Sequence, residues 1–177
     1  VKRRMTMKFR KSTEADLDSI MEIIKQAQAY FKANGIDQWQ NNYPNLSTIS
    51  HDIAHGHSHI LIKDNQVVAT AAISFDGEKN YNQIEAGSWL TGGDYAVIHR
   101  IAVDNRYKGT GLSSDIIKEV EQLCLEKGVH SIKVDTHQDN KSMQKLLQKN
   151  NFTSCGIIYV EDGSPRIAFE KVLGENI

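Results

Sequence analysis

The spacing of apolar residues changes along the chain, and each change marks an element. Leu17, Ile20, Met21, Ile24, Ala27 and Phe31 recur at intervals of three and four, which gives a helix one buried face. Thr13-Glu14-Ala15-Asp16 ahead of them predicts a capping box, with Thr13 accepting from free N–H groups and Asp16 reaching back. Asn34-Gly35 ends that helix, and Met7–Lys11 before it predicts a short strand. A polar loop with Trp39 and Tyr43 leads to a second, shorter helix around Ser47–His55. His59–Lys63 and Val67–Ser74 are strand-like runs on either side of Asp64-Asn65, a hairpin pattern. An irregular stretch carrying Trp89 precedes Tyr95–Val103, the longest strand candidate. Leu112–Lys127 predicts a helix with Ile116, Ile117, Val120, Leu123 and Cys124 on one side, stopped by Gly128. Ser131–Thr136 is strand-like again, and Asn140–Asn150 places Met143, Leu146 and Leu147 on the core side of a helix. Phe152–Val160 and Ile167–Val172 form a closing strand pair around Glu161-Asp162-Gly163-Ser164.

The resulting order is β-α-α-β-β-β-α-β-α-β-β. It is neither a regular βαβ alternation nor an all-β pattern, so it predicts an α+β sheet protein. No repeat, low-complexity tract or linker interrupts it. A chain of 177 residues then suits one domain over 7–173, with 1–6 as a leader.

Composition narrows the classes further. With 40% hydrophobic residues, 21 Lys plus Arg and 22 Asp plus Glu, the bulk of the chain is neither disordered nor a dedicated nucleic-acid binder. No apolar run approaches the ~18–20 residues that span a bilayer, so no membrane partner is expected. Val1-Lys2-Arg3-Arg4 leads into charged sequence rather than a secretory signal. Cys124 and Cys155 have no metal-ligand spacing and are too few for a disulfide framework. A cytoplasmic setting is therefore expected, with Cys124 on the apolar stripe as a small buried hydrophobe.

The strongest chemical signal is Arg106-Tyr107-Lys108-Gly109-Thr110-Gly111, between a strand ending at Val103 and a helix beginning near Leu112. Two glycines let successive N–H groups converge, and a helix start adds unpaired donors and a positive dipole end. Such a nest holds phosphate oxygens, and Arg106 and Lys108 add positive charge. The loop is not a Walker A, because Gly111-Leu112-Ser113 lacks the lysine. Nor is it the dinucleotide fingerprint, since Ser114 stands where its third glycine would be. A plain glycine-rich turn accounts for the hexamer equally well. His51, His55, His57 and His59 crowd one segment, and His51 and His55 have the i, i+4 spacing of a zinc pair. No carboxylate or cysteine completes that set, so no metal is expected.

Arg-x-x-Gly-x-Gly after Ile98-His99-Arg100-Ile101-Ala102-Val103 resembles the coenzyme A signature of the GNAT N-acetyltransferases. Asp37-Gln38-Trp39 with Tyr43-Pro44, Asp135-Thr136-His137 followed by Asn140, and Asn150-Asn151-Phe152 resemble further segments of bacterial members. The likeness runs from about Met7 to Val172 in the family's order of elements. It implies the GNAT fold, a central mixed and mostly antiparallel sheet flanked by helices. It also implies acetyl-CoA as co-substrate and an amine acceptor, either a small molecule or a peptide, in a protein that could form a homodimer.

On that resemblance the main chain of Ile101, Ala102 and Val103 would meet the pantetheine arm. The N–H groups of Arg106, Tyr107, Lys108, Gly109, Thr110, Gly111 and Leu112 would hold the pyrophosphate, with Asn140 flanking the cofactor. An oxyanion donor is expected from a backbone N–H near Ile101. Some family enzymes acting on aromatic amines place a histidine four residues before this valine, and here it is His99. Counting back in twos from Val103 puts His99 on the face of Ile101, so it is the candidate base; Glu85 and His137 are alternatives. Many members carry a tyrosine acid five residues before the turn's Phe, where this chain has Leu147. Trp39, Trp89 and Tyr43 suit either an acceptor pocket or the core. The leading function is acetyl transfer to an amine by direct attack. A non-catalytic acyl-CoA-binding GNAT protein is the alternative, and a nucleotide-binding module using the same loop is a third reading.

Overall fold

The computed structural model describes residues 6–174, so most of the leader expected over 1–6 lies outside the described residues. The elements follow the predicted order: β1 (Met7–Lys11), α1 (Leu17–Ala33), α2 (Leu46–Ala54), β2 (Ser58–Lys63), β3 (Gln66–Ser74), β4 (Ala96–Val103), α3 (Leu112–Lys127), β5 (Ser131–Thr136), α4 (Lys141–Lys149), β6 (Thr153–Tyr159) and β7 (Pro165–Val172). Short 3-10 turns at Glu14–Asp16, Lys79–Tyr81 and Asn105–Tyr107 are added to this order; three residues carry no periodicity that would mark them in the sequence. The strands form one seven-stranded sheet in the order β1-β2-β3-β4-β5-β7-β6. β4 and β5 are parallel, pairing Ala96 with Ile132 and Val97 with Lys133. The β1–β2, β2–β3, β5–β7 and β6–β7 pairs are antiparallel. The fold is the α+β GNAT arrangement expected from the resemblance, a mixed sheet flanked by four helices.

The described residues divide into two compact units interleaved in sequence. One runs up to Ile73 and includes His99–Ile116; the other comprises Ser74–Ile98 and the chain from Ile117 onward. In the first unit, Ile20, Ile23 and Ile24 of α1, Ile49 of α2, Ile60 of β2 and Ala102 of β4 make the core. The 3–4 spacing on α1 predicts this buried face, and Trp39 joins it, its ring edge-on to Phe31 at 5.6 Å. The capping box forms: the Thr13 N–H donates to the Asp16 carboxylate at 2.8 Å. Arg10 grips the same carboxylate at 2.8 and 3.1 Å and holds it below the usual carboxylate range. Asn45 caps α2 by accepting from the Thr48 N–H at 3.0 Å.

In the second unit, Tyr81, Val97, Ile158 and Ala168 pack with Ile84, Trp89, Tyr95 and Val160. The stretch that lacked any period is stitched to β6. Glu85 and Ile157 exchange backbone hydrogen bonds, both 2.8 Å. A Cβ on Gly87 would lie 1.9 Å from the Cys155 carbonyl oxygen, and one on Gly156 would lie 2.5 Å from the Glu85 oxygen. Only glycine allows that approach. Glu170, fully buried on β7, accepts from the Leu90 N–H at 2.8 Å, the Thr91 hydroxyl at 2.5 Å and the Ser131 hydroxyl at 2.7 Å. Lys133 is also buried, its ammonium 4.4 Å from the Trp89 ring centroid and 4.1 Å from that of Tyr95.

Candidate active site

The loop after β4 is built by its own side chains. Asp104 is buried; its N–H donates to the Val68 carbonyl at 2.9 Å, which ties the loop to β3. Its carboxylate accepts from the Arg106 N–H at 2.9 Å and from the Arg106 guanidinium at 3.1 and 3.3 Å. These contacts hold the Asp104 carboxyl below its ordinary value, with the Arg106 side chain as the largest cause. The Asn105 N–H donates to the Gln26 side chain at 2.8 Å, and the Thr110 hydroxyl donates to the Tyr107 carbonyl. Gly109 and Gly111 then adopt φ of +75° and +86°, left-handed backbone that a Cβ disfavours. Open space surrounds both: no atom would lie within 4 Å of an added Cβ. The Asp115 N–H closes the first turn of α3 onto the Gly111 carbonyl at 3.1 Å. By helix geometry the Leu112 amide at the head of that turn lacks an intrahelical acceptor. Both glycines take the left-handed backbone that a nest requires, whereas the Arg106, Tyr107, Lys108 and Thr110 N–H groups, expected to face a ligand, are taken up inside the loop.

Its flanking charges are arranged less simply than the sequence suggests. Arg106 spends part of its charge on Asp104, although its side chain remains 65% exposed. Lys108 lies over the Tyr30 ring at 4.2 Å, and Lys63 lies over the Tyr107 ring at 5.3 Å. Three cationic side chains therefore surround the loop, and all three lie over aromatic rings, the Arg106 guanidinium 5.8 Å from the Tyr107 centroid.

Upstream in β4, Arg100 has φ of +51°. This left-handed residue breaks the period-two alternation between His99 and Ile101, so counting in twos does not carry a face from one to the other. The Arg100 guanidinium forks onto Asp52 of α2, Nε to Oδ2 at 2.7 Å and Nη2 to Oδ1 at 2.6 Å. Its Nη1 donates to the Tyr43 hydroxyl at 3.0 Å. Sequence reasoning passed over Asp52 and Arg100, whose partnership crosses 48 positions. The hint that existed was an arginine beside His99 in a strand whose other residues are all apolar.

Thus His99, Ile101–Val103 and Arg106–Leu112 fall in one unit. Asn140, Glu85 and His137 belong to the other, each with a local partner. The Asn140 side-chain oxygen caps α4, accepting from the Met143 N–H at 3.1 Å. His137 Nδ1 accepts from the Asp139 N–H at 3.0 Å within the turn that leads into α4. Glu85 accepts from the Tyr159 hydroxyl at 3.2 Å, which pushes the Tyr159 phenol upward. Leu147 is fully buried on α4. Trp89 donates its indole N–H to the Tyr81 carbonyl at 2.8 Å, whereas Tyr43 is 44% exposed. The His51 and His55 rings stack at 3.9 Å. Among the described residues no group of three or more His, Cys, Asp or Glu is placed to hold a metal ion.

The sequence profile described as the Acetyltransferase (GNAT) family matches residues 19–152. The chain belongs to the GNAT acetyltransferase family. A GNAT-family acetyltransferase from Streptococcus agalactiae is 31% identical, with 96% of each chain covered and a TM-score of 0.87. Two more distant structures share the fold. A GNAT-family acetyltransferase from Listeria monocytogenes is 19% identical, covering 94% of this chain and 95% of its own, at TM-score 0.73. The PaiA N-acetyltransferase of Thermoplasma acidophilum, solved in complex with coenzyme A, is 15% identical, covering 95% and 99%, at TM-score 0.71. No curated protein matches the chain. The GNAT profile takes in β4, the glycine loop and α3, so the nest lies inside the matched region. No helix among the described residues is long and apolar enough to cross a membrane.

Proposed function

We propose that this GNAT protein transfers the acetyl group of acetyl-CoA to a primary amine by direct attack. The supporting observation is the left-handed pair Gly109 and Gly111 opening onto the first turn of α3, which offers amides to a pyrophosphate. The Gly109, Gly111 and Leu112 amides hold that pyrophosphate, and the main chain of Ile101, Ala102 and Val103 receives the pantetheine arm. The Arg106, Tyr107, Lys108 and Thr110 N–H groups already donate to Asp104, Asn105 and Tyr107 within the loop. The amine must lose its ammonium proton before it attacks, and His99 takes that proton directly or through water. Nitrogen then bonds to the thioester carbonyl carbon, and a backbone N–H near Ile101 stabilises the oxyanion. When the C–S bond breaks, the thiolate takes a proton from water, and the hydroxide left behind takes the second proton from the acylated nitrogen, giving a neutral amide and a thiol. A thiol pKa of about 8.5 makes a side-chain acid at this step helpful rather than obligatory.

One observation favours a second reading, an acyl-CoA-binding protein without turnover. Where the family resemblance expects a tyrosine acid, this chain has the fully buried hydrocarbon of Leu147. Melting and thiol release separate the two readings. Free CoA at millimolar concentration is expected to raise Tm by mass action. Gly109→Asp is expected to abolish that rise, because its carboxylate would occupy the nest and repel phosphate. His99→Ala is expected to lower kcat/KM by roughly 10²–10⁴ at neutral pH while the CoA shift persists. A wild-type protein with no CoA shift refutes the coenzyme assignment. A CoA shift without thiol release across polyamine, amino-acid, antibiotic and peptide acceptors supports the second reading.

A further inference from the structure

The glycine loop accounts for how phosphate would be held. It does not account for why β4, a strand in the sheet, carries a left-handed arginine three residues before it ends. A non-glycine residue at φ of +51° sits where its Cβ crowds its own carbonyl, and such a conformation persists only when the surroundings over-determine it. Here the surroundings are specific. The two parallel hydrogen bonds from Arg100 to Asp52, 2.7 and 2.6 Å long, match the planar fork of a guanidinium to a carboxylate. Both side chains are withdrawn from water, that of Asp52 5% exposed and that of Arg100 15%. The anchor itself is fixed. α2 packs into the first unit's core through Ile49 and Ile53, and the Asp52 carbonyl accepts the His57 N–H at 2.9 Å beyond its end.

Ion pair and backbone conformation are therefore coupled. Returning Arg100 to ordinary strand geometry would turn its side chain toward the opposite face and withdraw it from Asp52. That would leave a buried carboxylate unpaired, which is strongly unfavourable. The peptide that follows Arg100 is the start of Ile101–Val103, and its amide direction depends on the rotation at Arg100. We propose that Asp52 is a positioning residue: through its ion pair it holds Arg100 left-handed and so aims the Ile101–Val103 main chain at the acyl-pantetheine arm. This rests on the coenzyme reading above. The Asp52 carboxylate bonds to the Arg100 guanidinium, and it acts through Arg100.

The test uses calorimetric titration of the full chain with two probes. Acetyl-CoA carries the pantetheine arm, and ADP carries a pyrophosphate without it. D52N keeps the size of the side chain but removes its charge. It is expected to weaken acetyl-CoA by about tenfold or more, since small misplacements at a reacting centre are costly, and to leave ADP affinity unchanged. R100A and R100G both remove the guanidinium and leave the same buried carboxylate, so their difference isolates backbone conformation. R100A is expected to behave like D52N. R100G is expected to bind acetyl-CoA within about threefold of wild type, because glycine takes positive φ without strain. Equal acetyl-CoA affinity in R100A and R100G overturns the proposal, and this comparison decides even where D52N does not fold. Parallel loss of ADP and acetyl-CoA in D52N also overturns it, since that marks a general prop of the fold. Failure of the wild type to bind acetyl-CoA strikes the coenzyme reading itself, and this inference falls with it.

Discussion

Replacing Glu170 with glutamine tests how the second unit holds its irregular segment. The wild-type carboxylate accepts three hydrogen bonds, from the Leu90 N–H and from the hydroxyls of Thr91 and Ser131. Its charge also faces Lys133, whose pKa is lowered by burial and raised in part by Glu170. In Glu170→Gln the amide oxygen can keep the Leu90 N–H, and both hydroxyls can turn to accept from the new NH₂. Geometry survives, but the bonds lose their ionic acceptor and Lys133 loses its counter-charge. Charge-assisted bonds are about twice as strong as neutral ones, and an orphaned buried charge costs several kcal/mol. A net loss of about 3 kcal/mol at pH 7 follows. For a chain of this length that lowers Tm by about 6–12 °C.

The pH dependence identifies the cause. Burial disfavours the charged form of Lys133 in the folded state, so its penalty is present in full below its folded pKa. The penalty is relieved as pH rises through that value toward the ordinary lysine value of 10.5. Glu170 offsets the penalty only while the ammonium is charged. The gap between wild type and Glu170→Gln should therefore narrow from pH 7 toward pH 10. Urea melts with matched m-values at the two ends of that range measure it. A difference under about 1 kcal/mol at pH 7, or one that does not change with pH, would refute the assignment of Lys133 and Glu170 as a working pair.

Glycine substitutions should sort by surroundings: Gly87→Ala drives a Cβ to 1.9 Å from the Cys155 oxygen and should cost more than about 4 kcal/mol. Gly109→Ala, with open space around it, should cost only about 1–2 kcal/mol of backbone strain, and comparing their urea midpoints checks the contrast. Burial pushes the Cys124 thiol up to about 12 and raises that of Cys155. Ellman's reagent at pH 8 should therefore find no fast thiol in the native protein and two after denaturation; a fast native thiol would place one of them outside the core.

Sequence alone decided the features that depend on near neighbours. The 3–4 spacing of α1 and α3, the capping box at Thr13 and Asp16, and the hairpin at Asp64-Asn65 needed only periods and turn chemistry. The left-handed glycine loop was legible for the same reason. Its geometry comes from Gly109, Gly111 and the helix start right after them, all within one short stretch. What tertiary structure decided lies across long separations. Asp52 meets Arg100 48 positions away, Tyr81 meets Asp135 at 54, and Leu90 meets Glu170 at 80. None of these pairs has a period to announce it. The face of His99 shows the limit most clearly. Alternation in twos assumes regular strand backbone, and a left-handed arginine ends that assumption at one residue. Arg100 can hold that conformation because an aspartate on a distant helix is placed to grip it. Local propensity says where a strand runs, whereas packing against the rest of the chain decides how it bends and which groups it presents.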